Sequence, residues 1–183
     1  MKKRSQLKVT LVSPKAEYAE LFHRWRSQPL FVKHNPLKAQ DLKQCRKRIL
    51  SEGHNLKFRA KHGSFRWFAK LDKKIIGSAS LSGINEMMGI AEIGYGVDEA
   101  FHGRGLGTLI AKMLVDKIFT ETKLRKLIAY VHDKNLPSCR LLERIGFKKE
   151  GFLRKHYLIN GKPENEVLYG LLRTDWKAGV SGR

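Results

Sequence analysis

The chain has 183 residues and carries 37 Lys and Arg against 17 Asp and Glu, a formal net charge of +20. This length suits one domain with a sizeable core. No apolar run approaches a membrane span, and the basic start MKKRSQLKVTLVS lacks a signal-peptide core and cleavage site, so the expectation is a cytoplasmic protein with no membrane partner.

Cys45 and Cys139 are the only cysteines. They form no disulfide framework or zinc pattern, so two buried or half-exposed thiols and no metal are expected. The charge is uneven: residues 1–60 hold 15 basic and 4 acidic side chains, and the remainder hold 22 and 13. Such a field favours anionic partners such as nucleic acid, ribosomes or acidic proteins, although it also simply keeps a chain soluble.

In chain order, Leu7 to Val12 reads as a first strand. Ser13-Pro14 marks a helix start, and Lys15 to Arg26 follows with Tyr18, Leu21, Phe22 and Trp25 at helical spacing, a core stripe broken by Gln28-Pro29. After Asn35-Pro36 a second helix is predicted from about Lys38 to Leu50, with a basic face of Lys43, Arg46, Lys47 and Arg48. Such a face can grip phosphates in RNA or a ribosome, or it can be merely solvated. Phe65 to Leu71 and Ile75 to Ser82 form a hairpin about Asp72-Lys73-Lys74, and Gly83 to Gly89 reads as a loop.

Ala91 to Val97 is the central strand, Asp98 to Arg104 a turn, and a helix begins at Gly105 with Leu106, Leu109, Ile110, Met113, Leu114 and Ile118 as one stripe. Lys126 to Val131 is a strand for which that helix is the crossover. Asn135 caps a further helix with Pro137 in its first turn and Gly146 at its end. Phe147 to Arg154 is a strand, irregular at Gly151. Asn160-Gly161 is a hairpin turn, Val167 to Leu172 the last strand, and Lys177 to Arg183 a frayed tail.

The chemistry concentrates where the central strand meets its helix. Gly103, Gly105 and Gly107 alternate with Arg104 and Leu106 ahead of a helix whose first N–H groups lack intrahelical partners. A strand, a glycine-rich turn and a helix start make an anion site for a phosphate or pyrophosphate, to which Arg104 and Thr108 can add side-chain donors. The dinucleotide fingerprint fails, because its last glycine position holds Thr108 or Ile110; no Gly-Lys-Ser/Thr completes a P-loop either.

The pattern that fits is Q/R-x-x-G-x-G/A, read as His102-Gly103-Arg104-Gly105-Leu106-Gly107. It resembles the acetyl-CoA pyrophosphate loop of the GNAT superfamily of N-acetyltransferases. A second signature, N-x-x-S/A-x-x-x-x-x-x-G-F, follows one strand later as Asn135, Ser138, Gly146 and Phe147. AEIGYGVD…HGRGLGT and NLPSCRLLERIGF look most like the ribosomal-protein N-terminal acetyltransferase branch (RimJ/RimL type). The resemblance implies an α/β (α+β) fold: one domain over residues 1–183 with its core at 7–176. In it a mixed sheet of about seven strands is flanked by about four helices in the order β-α-α-β-β-β-α-β-α-β-β.

The resemblance also implies roles. The backbone of Tyr95 and Val97 pairs with the pantetheine arm of acetyl-CoA, and His102, Gly103, Arg104, Gly105, Leu106, Gly107 and Thr108 hold its pyrophosphate. Asn135 bonds the pantetheine region, Ser138 lies close to the thiol, and Glu92 matches the strand glutamate that serves several relatives as general base. A carboxylate suits that task, because an amine attacks a thioester only when unprotonated; Glu92 can equally be a structural partner for a basic residue.

The sequence departs from the pattern twice. His102 replaces Gln or Arg, and Leu142 occupies the position where many relatives have a tyrosine that protonates the leaving thiolate. That leaves Ser138, Cys139, Tyr157, Tyr169 or solvent as the acid. The expected activity is acetyl transfer to a primary amine, foremost a protein N-terminal α-amine of ribosomal type, with ribosome or RNA contact through the basic surface. A polyamine or aminoglycoside acceptor and a non-catalytic acyl-CoA or RNA-binding module are the alternatives.

Overall fold

In a computed structural model the described residues are 8–35, 40–57 and 63–181, with the side chains of 179–181 excepted. Strand β1 (Val9–Val12) leads through a 3-10 turn (Ala16–Tyr18) into helices α1 (Ala19–Arg26), α2 (Pro29–His34) and α3 (Leu42–Ser51). Strands β2 (Phe65–Leu71), β3 (Lys74–Asn85) and β4 (Ile90–Val97) follow, then a 3-10 turn (Glu99–Phe101) and the crossover helix α4 (Leu106–Glu121). The chain ends with β5 (Lys126–His132), α5 (Leu136–Arg144), β6 (Lys148–Ile159), β7 (Lys162–Leu172) and α6 (Arg173–Ser181).

All seven strands form one sheet in the order β1-β2-β3-β4-β5-β7-β6. Alternation assigns its two faces. Trp67, Ala79, Ile93 and Leu127 meet Ile110, Leu114 and Ile118 of α4 on one side. Phe68 meets Ala19, Phe22 and Trp25 of α1 with Cys45 and Ile49 of α3 on the other.

Among the strands described, β4 and β5 form the parallel pair, through Ile90–Lys126, Ala91–Leu127 and Glu92–Ile128. Beyond that point each strand continues to pair on its outer edge, β4 with β3 out to Val97 and β5 with β7 out to His132. The two half-sheets therefore diverge, and a wedge opens between them.

The expected order of elements holds, and the structure adds two helices to the four expected. Pro29 ends α1 and also starts α2, because its fixed φ and missing N–H suit a first helical position. Residues 177–181 are helical, whereas the sequence suggested fraying: Trp176 packs on Phe119 with ring centroids 5.3 Å apart and planes tilted by 40°, and its indole N–H donates to Asp116 Oδ1 at 2.7 Å. Arg173 donates to the carbonyls of Phe119, Thr122 and Leu124 and so closes the end of α4.

Ser13-Pro14 does not cap α1, which starts only after the 3-10 turn. Asp41 caps α3 through a reciprocal bond with Gln44, so that helix begins at Leu42; Leu7, Pro36 and Lys38 lie outside the described residues. β3 runs on to Asn85, β6 to Ile159, and β7 starts at Lys162, so the hairpins are longer than the apolar pattern implied.

One carboxylate fastens the helical layer to the end of β4. Asp98 is buried and accepts from Trp25 Nε1 at 2.9 Å, Gln28 Nε2 at 2.8 Å and the Ala100 N–H at 3.2 Å, with Arg24 at 3.4 Å. Burial pushes its pKa up, but the bonds from Gln28, Trp25 and Ala100 and the Arg24 charge outweigh burial and hold it below the usual range. A depressed carboxyl contributes stability above its unfolded pKa, about 3.9, and loses it as pH falls through the folded value. Asp98→Ala should therefore cost about 2–3 kcal/mol at neutral pH by leaving buried donors unpaired. Urea denaturation of parent and variant should converge as pH drops below about 4. An equal gap at both pH values would show that the Asp98 charge does not matter.

Candidate active site

A cavity of about 690 Å³ opens at the wedge. Its floor is the end of β4 (Tyr95, Gly96 and Val97), one wall is the glycine turn and the start of α4, and another is α5. α1 and α2 close the far side with Trp25, Arg26, Phe31 and His34.

The N–H of Asp98 donates to Ile76 of β3. Because backbone groups alternate in direction along a strand, Tyr95 and Val97 turn theirs towards the wedge. The His102 ring donates from Nε2 to the Val97 carbonyl at 3.0 Å. This leaves the Val97 N–H and both backbone groups of Tyr95 facing the opening. The His102 side chain thus belongs to the turn itself.

Gly103 and Gly105 have φ of +73° and +74°, where an L side chain is strained. A Cβ on either would meet no heavy atom within 4 Å, so glycine is required there by backbone conformation rather than by protein packing. Gly107 differs: its Cβ would lie 3.2 Å from Leu141 Cδ1 and 3.7 Å from Val97 Cγ2. It lets α4 approach α5 and β4. Leu106, Gly107 and Thr108 line the cavity at the first turn of α4, and Arg104 lies over Phe101 at 5.6 Å, outside the lining.

The Asn135 side chain accepts from the Ser138 N–H at 3.4 Å and caps α5. Ser138 Oγ lies 2.8 Å from the Tyr95 hydroxyl, so β4 and α5 meet through two hydroxyls inside the cavity. Burial raises the Tyr95 pKa, and the phenol stays protonated. The sequence motif implicates only the backbone of Tyr95; this hydroxyl pair spans 43 residues of chain, beyond the reach of local spacing. The motif also passes over Arg140 and Arg144, one turn apart on α5, which both line the cavity. Their i,i+4 spacing was the available signal.

The other candidate acids lie elsewhere. Cys139 is buried in the core, as is Leu142, which stands where the usual tyrosine would. The Tyr169 hydroxyl donates to Glu143 at 3.0 Å, and Tyr157 stands edge-on to His132 on β6. None of Cys139, Tyr157 and Tyr169 lines the cavity.

Glu92 sits at the last paired position before the strands part, on the sheet face shared with Ile128 and Glu166, and it too lies outside the cavity lining. Burial raises its pKa, which moves a carboxyl towards the range useful to a base.

Gly105→Glu should put a carboxylate into the proposed anion site at the cost of left-handed strain, about 1–2 kcal/mol. Removing two hydrogen bonds to a charged ligand weakens binding on the order of 100-fold or more. Calorimetry with acetyl-CoA should show that loss in a variant whose melting still reports a folded protein. Unchanged affinity would remove the glycine turn from the site.

Residues 8–148 match the acetyltransferase (GNAT) domain family. Among curated proteins, "Probable N-acetyltransferase YjcK" of Bacillus subtilis is 39% identical over 112 residues, 61% of this chain and 62% of that one, so the chain spans less than two thirds of that relative. The [Ribosomal protein uS5]-alanine N-acetyltransferase of Escherichia coli is 29% identical over 140 residues, 74% of this chain and 69% of that one. Among solved structures, the spermidine N-acetyltransferase of Vibrio cholerae in complex with CoA and spermine superposes with a TM-score of 0.81 at 19% identity, over 92% of this chain and 98% of that one, a likeness of fold. With two motifs on one wedge and the family matched over residues 8–148, the chain belongs to the GNAT acetyltransferase family.

Proposed function

We propose that the protein transfers the acetyl group of acetyl-CoA to a protein N-terminal α-amine, with a ribosomal protein as the leading acceptor. The observation that carries this reading is the charge of the cleft: among the described residues its lining holds Arg26, Arg140 and Arg144 against one carboxylate, Glu99. That carboxylate already accepts the Leu30 N–H at 2.7 Å. Of the acids in residues 1–60, Glu52 is buried on Arg66, Asp41 caps α3, and Glu17 faces Lys15. Polycations are poorly served by such a field, whereas the amino end of an acidic or RNA-embedded protein suits it. The exposed Lys43, Arg46 and Lys47 of α3 extend the basic surface for that ribosomal contact.

In this reading the pyrophosphate rests on the turn from His102 to Thr108, with Arg104, Arg140 and Arg144 as cations around it. The pantetheine arm pairs with the Tyr95 and Val97 backbone in the wedge, and the Asn135 amide N–H₂ donates to it. The amine nitrogen attacks the thioester carbon, the C–S bond breaks, and the CoA thiolate takes up a proton through Ser138 from the Tyr95 hydroxyl. The nitrogen loses a proton to Glu92 through water.

A polyamine is the second reading. Glu92 and Glu166 share a face beside the wedge, and their mutual repulsion adds to burial in raising the Glu166 pKa. Such a pair would welcome a cation.

Two measurements test these readings. Under one acetyl-CoA assay, an alanine-initiated peptide should show a higher kcat/KM than spermidine or an aminoglycoside, and its rate should fall as salt rises. A higher value for spermidine transfers the function to the second reading. Glu92→Gln should lower turnover by roughly 10²-fold or more at neutral pH and recover in part at higher pH, as more free amine appears. A loss under about threefold with the same pH profile makes Glu92 structural.

A further inference from the structure

His34, the last residue of α2, lines the far wall of the cavity that α1 and α2 close. Its Nδ1 lies 2.9 Å from Nδ1 of His132, at the end of β5 and 98 residues away. Behind His132 stand two acids. Its Nε2 is 3.4 Å from Glu164 Oε2 and 3.5 Å from Asp133 Oδ1. Lys134 Nζ holds the same Glu164 oxygen at 2.6 Å, and Asn165 donates to Asp133 Oδ2 at 3.0 Å. We propose that His34 is a catalytic base for the acceptor amine, and that His132 with Glu164 and Asp133 fixes which ring nitrogen of His34 carries the lone pair. The proposal rests on the amine-acetyltransferase reading above.

The tautomers follow from what each atom can do. Ionised carboxylates only accept, so an unprotonated Nε2 on His132 would set its lone pair against two negative oxygens. His132 therefore carries its proton on Nε2, and in the neutral ring Nδ1 is an acceptor. The short Nδ1–Nδ1 approach then needs a donor, which is the Nδ1–H of His34. A neutral His34 with its proton on Nδ1 has its lone pair on Nε2, the nitrogen not committed to His132.

His34 stays neutral near pH 7. Burial lowers its pKa first, then the His132 ring, then Lys33 beside it on α2. Arg26 and Glu99 on neighbouring elements also line the cavity, and Tyr157 stands edge-on to His132.

The proton accounting closes. An ammonium acceptor gives one proton to His34 Nε2, and the imidazolium is stabilised through its Nδ1–H on His132, whose Nε2–H in turn faces Glu164 and Asp133. The freed amine attacks the thioester carbon, its second proton passes through water to Glu92, the C–S bond breaks and the thiolate takes a proton from Tyr95 through Ser138. Tyr95 regains the proton that Glu92 gives up, and His34 releases its own to solvent, so the net products are the amide, CoA–SH and one proton. An α-amine titrates near pH 7.7–8, so part of it is already free near neutrality and a neutral imidazole can take the proton of the rest. His34 differs from Glu92 in bordering the cavity directly.

The test uses the full chain. Nitrogen-15 imidazole spectra at neutral pH should show His34 protonated on Nδ1 and bare on Nε2, with His132 protonated on Nε2. A His34 ring protonated on Nε2 overturns the assignment. His34→Asn keeps a donor for His132 but has no basic nitrogen. It should lower kcat with the alanine-initiated peptide by about 10²-fold while the acetyl-CoA Kd holds, and should abolish the limb of the pH profile that follows the imidazole. That limb should survive in Glu92→Gln. His132→Leu should leave His34 as a mixture of tautomers and lower kcat with little change in KM, which a merely structural His132 would not do. If peptide, spermidine and aminoglycoside all go unacetylated, the acetyltransferase reading falls. If they are acetylated and His34→Asn stays within about threefold of the parent, only the base assignment falls.

Discussion

Two parallel strands that pair for three residues and then part set the terms for the rest of the molecule. Past Glu92 and Ile128 the sheet has an interior edge, with backbone groups of Tyr95 and Val97 directed into the gap. Unpaired strand edges are usually a liability. Here the edge is shielded by helices and flanked by the glycine turn, so it can pair with an extended ligand arm but not with another chain. The Tyr95–Ser138 contact bridges the gap at one point and ties β4 to α5.

The cleft also depends on how its helical wall is fastened. Asp98 follows directly on β4 and gathers Trp25, Gln28 and Arg24 from α1 and the segment after it. Glu99, one residue on, receives the first free N–H of α2 at Leu30. Two adjacent acids thus place the helix that carries His34. At the far end the His34–His132 contact closes the same helix onto β5. The wall is attached to both half-sheets through polar contacts, a geometry that apolar packing alone would specify less sharply.

What the sequence made legible was local. The glycine turn, the alternation of Ala91 to Val97 and the stripe of α4 each lie within a few consecutive residues, so period and turn chemistry identify them. The same holds for the Asn135 cap and the Asn160-Gly161 hairpin. What stayed hidden is non-local. Tyr95 meets Ser138 across 43 residues, Trp25 meets Asp98 across 73, and His34 meets His132 across 98. Nothing in the spacing of these residues announces their meeting; the sheet order and the divergence of β4 and β5 produce it. The short helix α2 was missed because Pro29 signals both an end and a start. The C-terminal helix was missed because its anchors, Phe119 and Asp116, lie on α4.

Three residue pairs join the two half-sheets along β4 and β5. A ligand arm that offers donors and acceptors to Tyr95 and Val97, with its phosphates on the start of α4, adds a rung where the protein has none. Such a ligand binds the native state and has no counterpart site in the unfolded chain. Its stabilisation therefore grows with the logarithm of its free concentration, by about 2.7 kcal/mol at a hundredfold excess over Kd. Under the proposed acetyl-CoA reading, the wedge would thus couple the stability of the fold to the supply of that ligand.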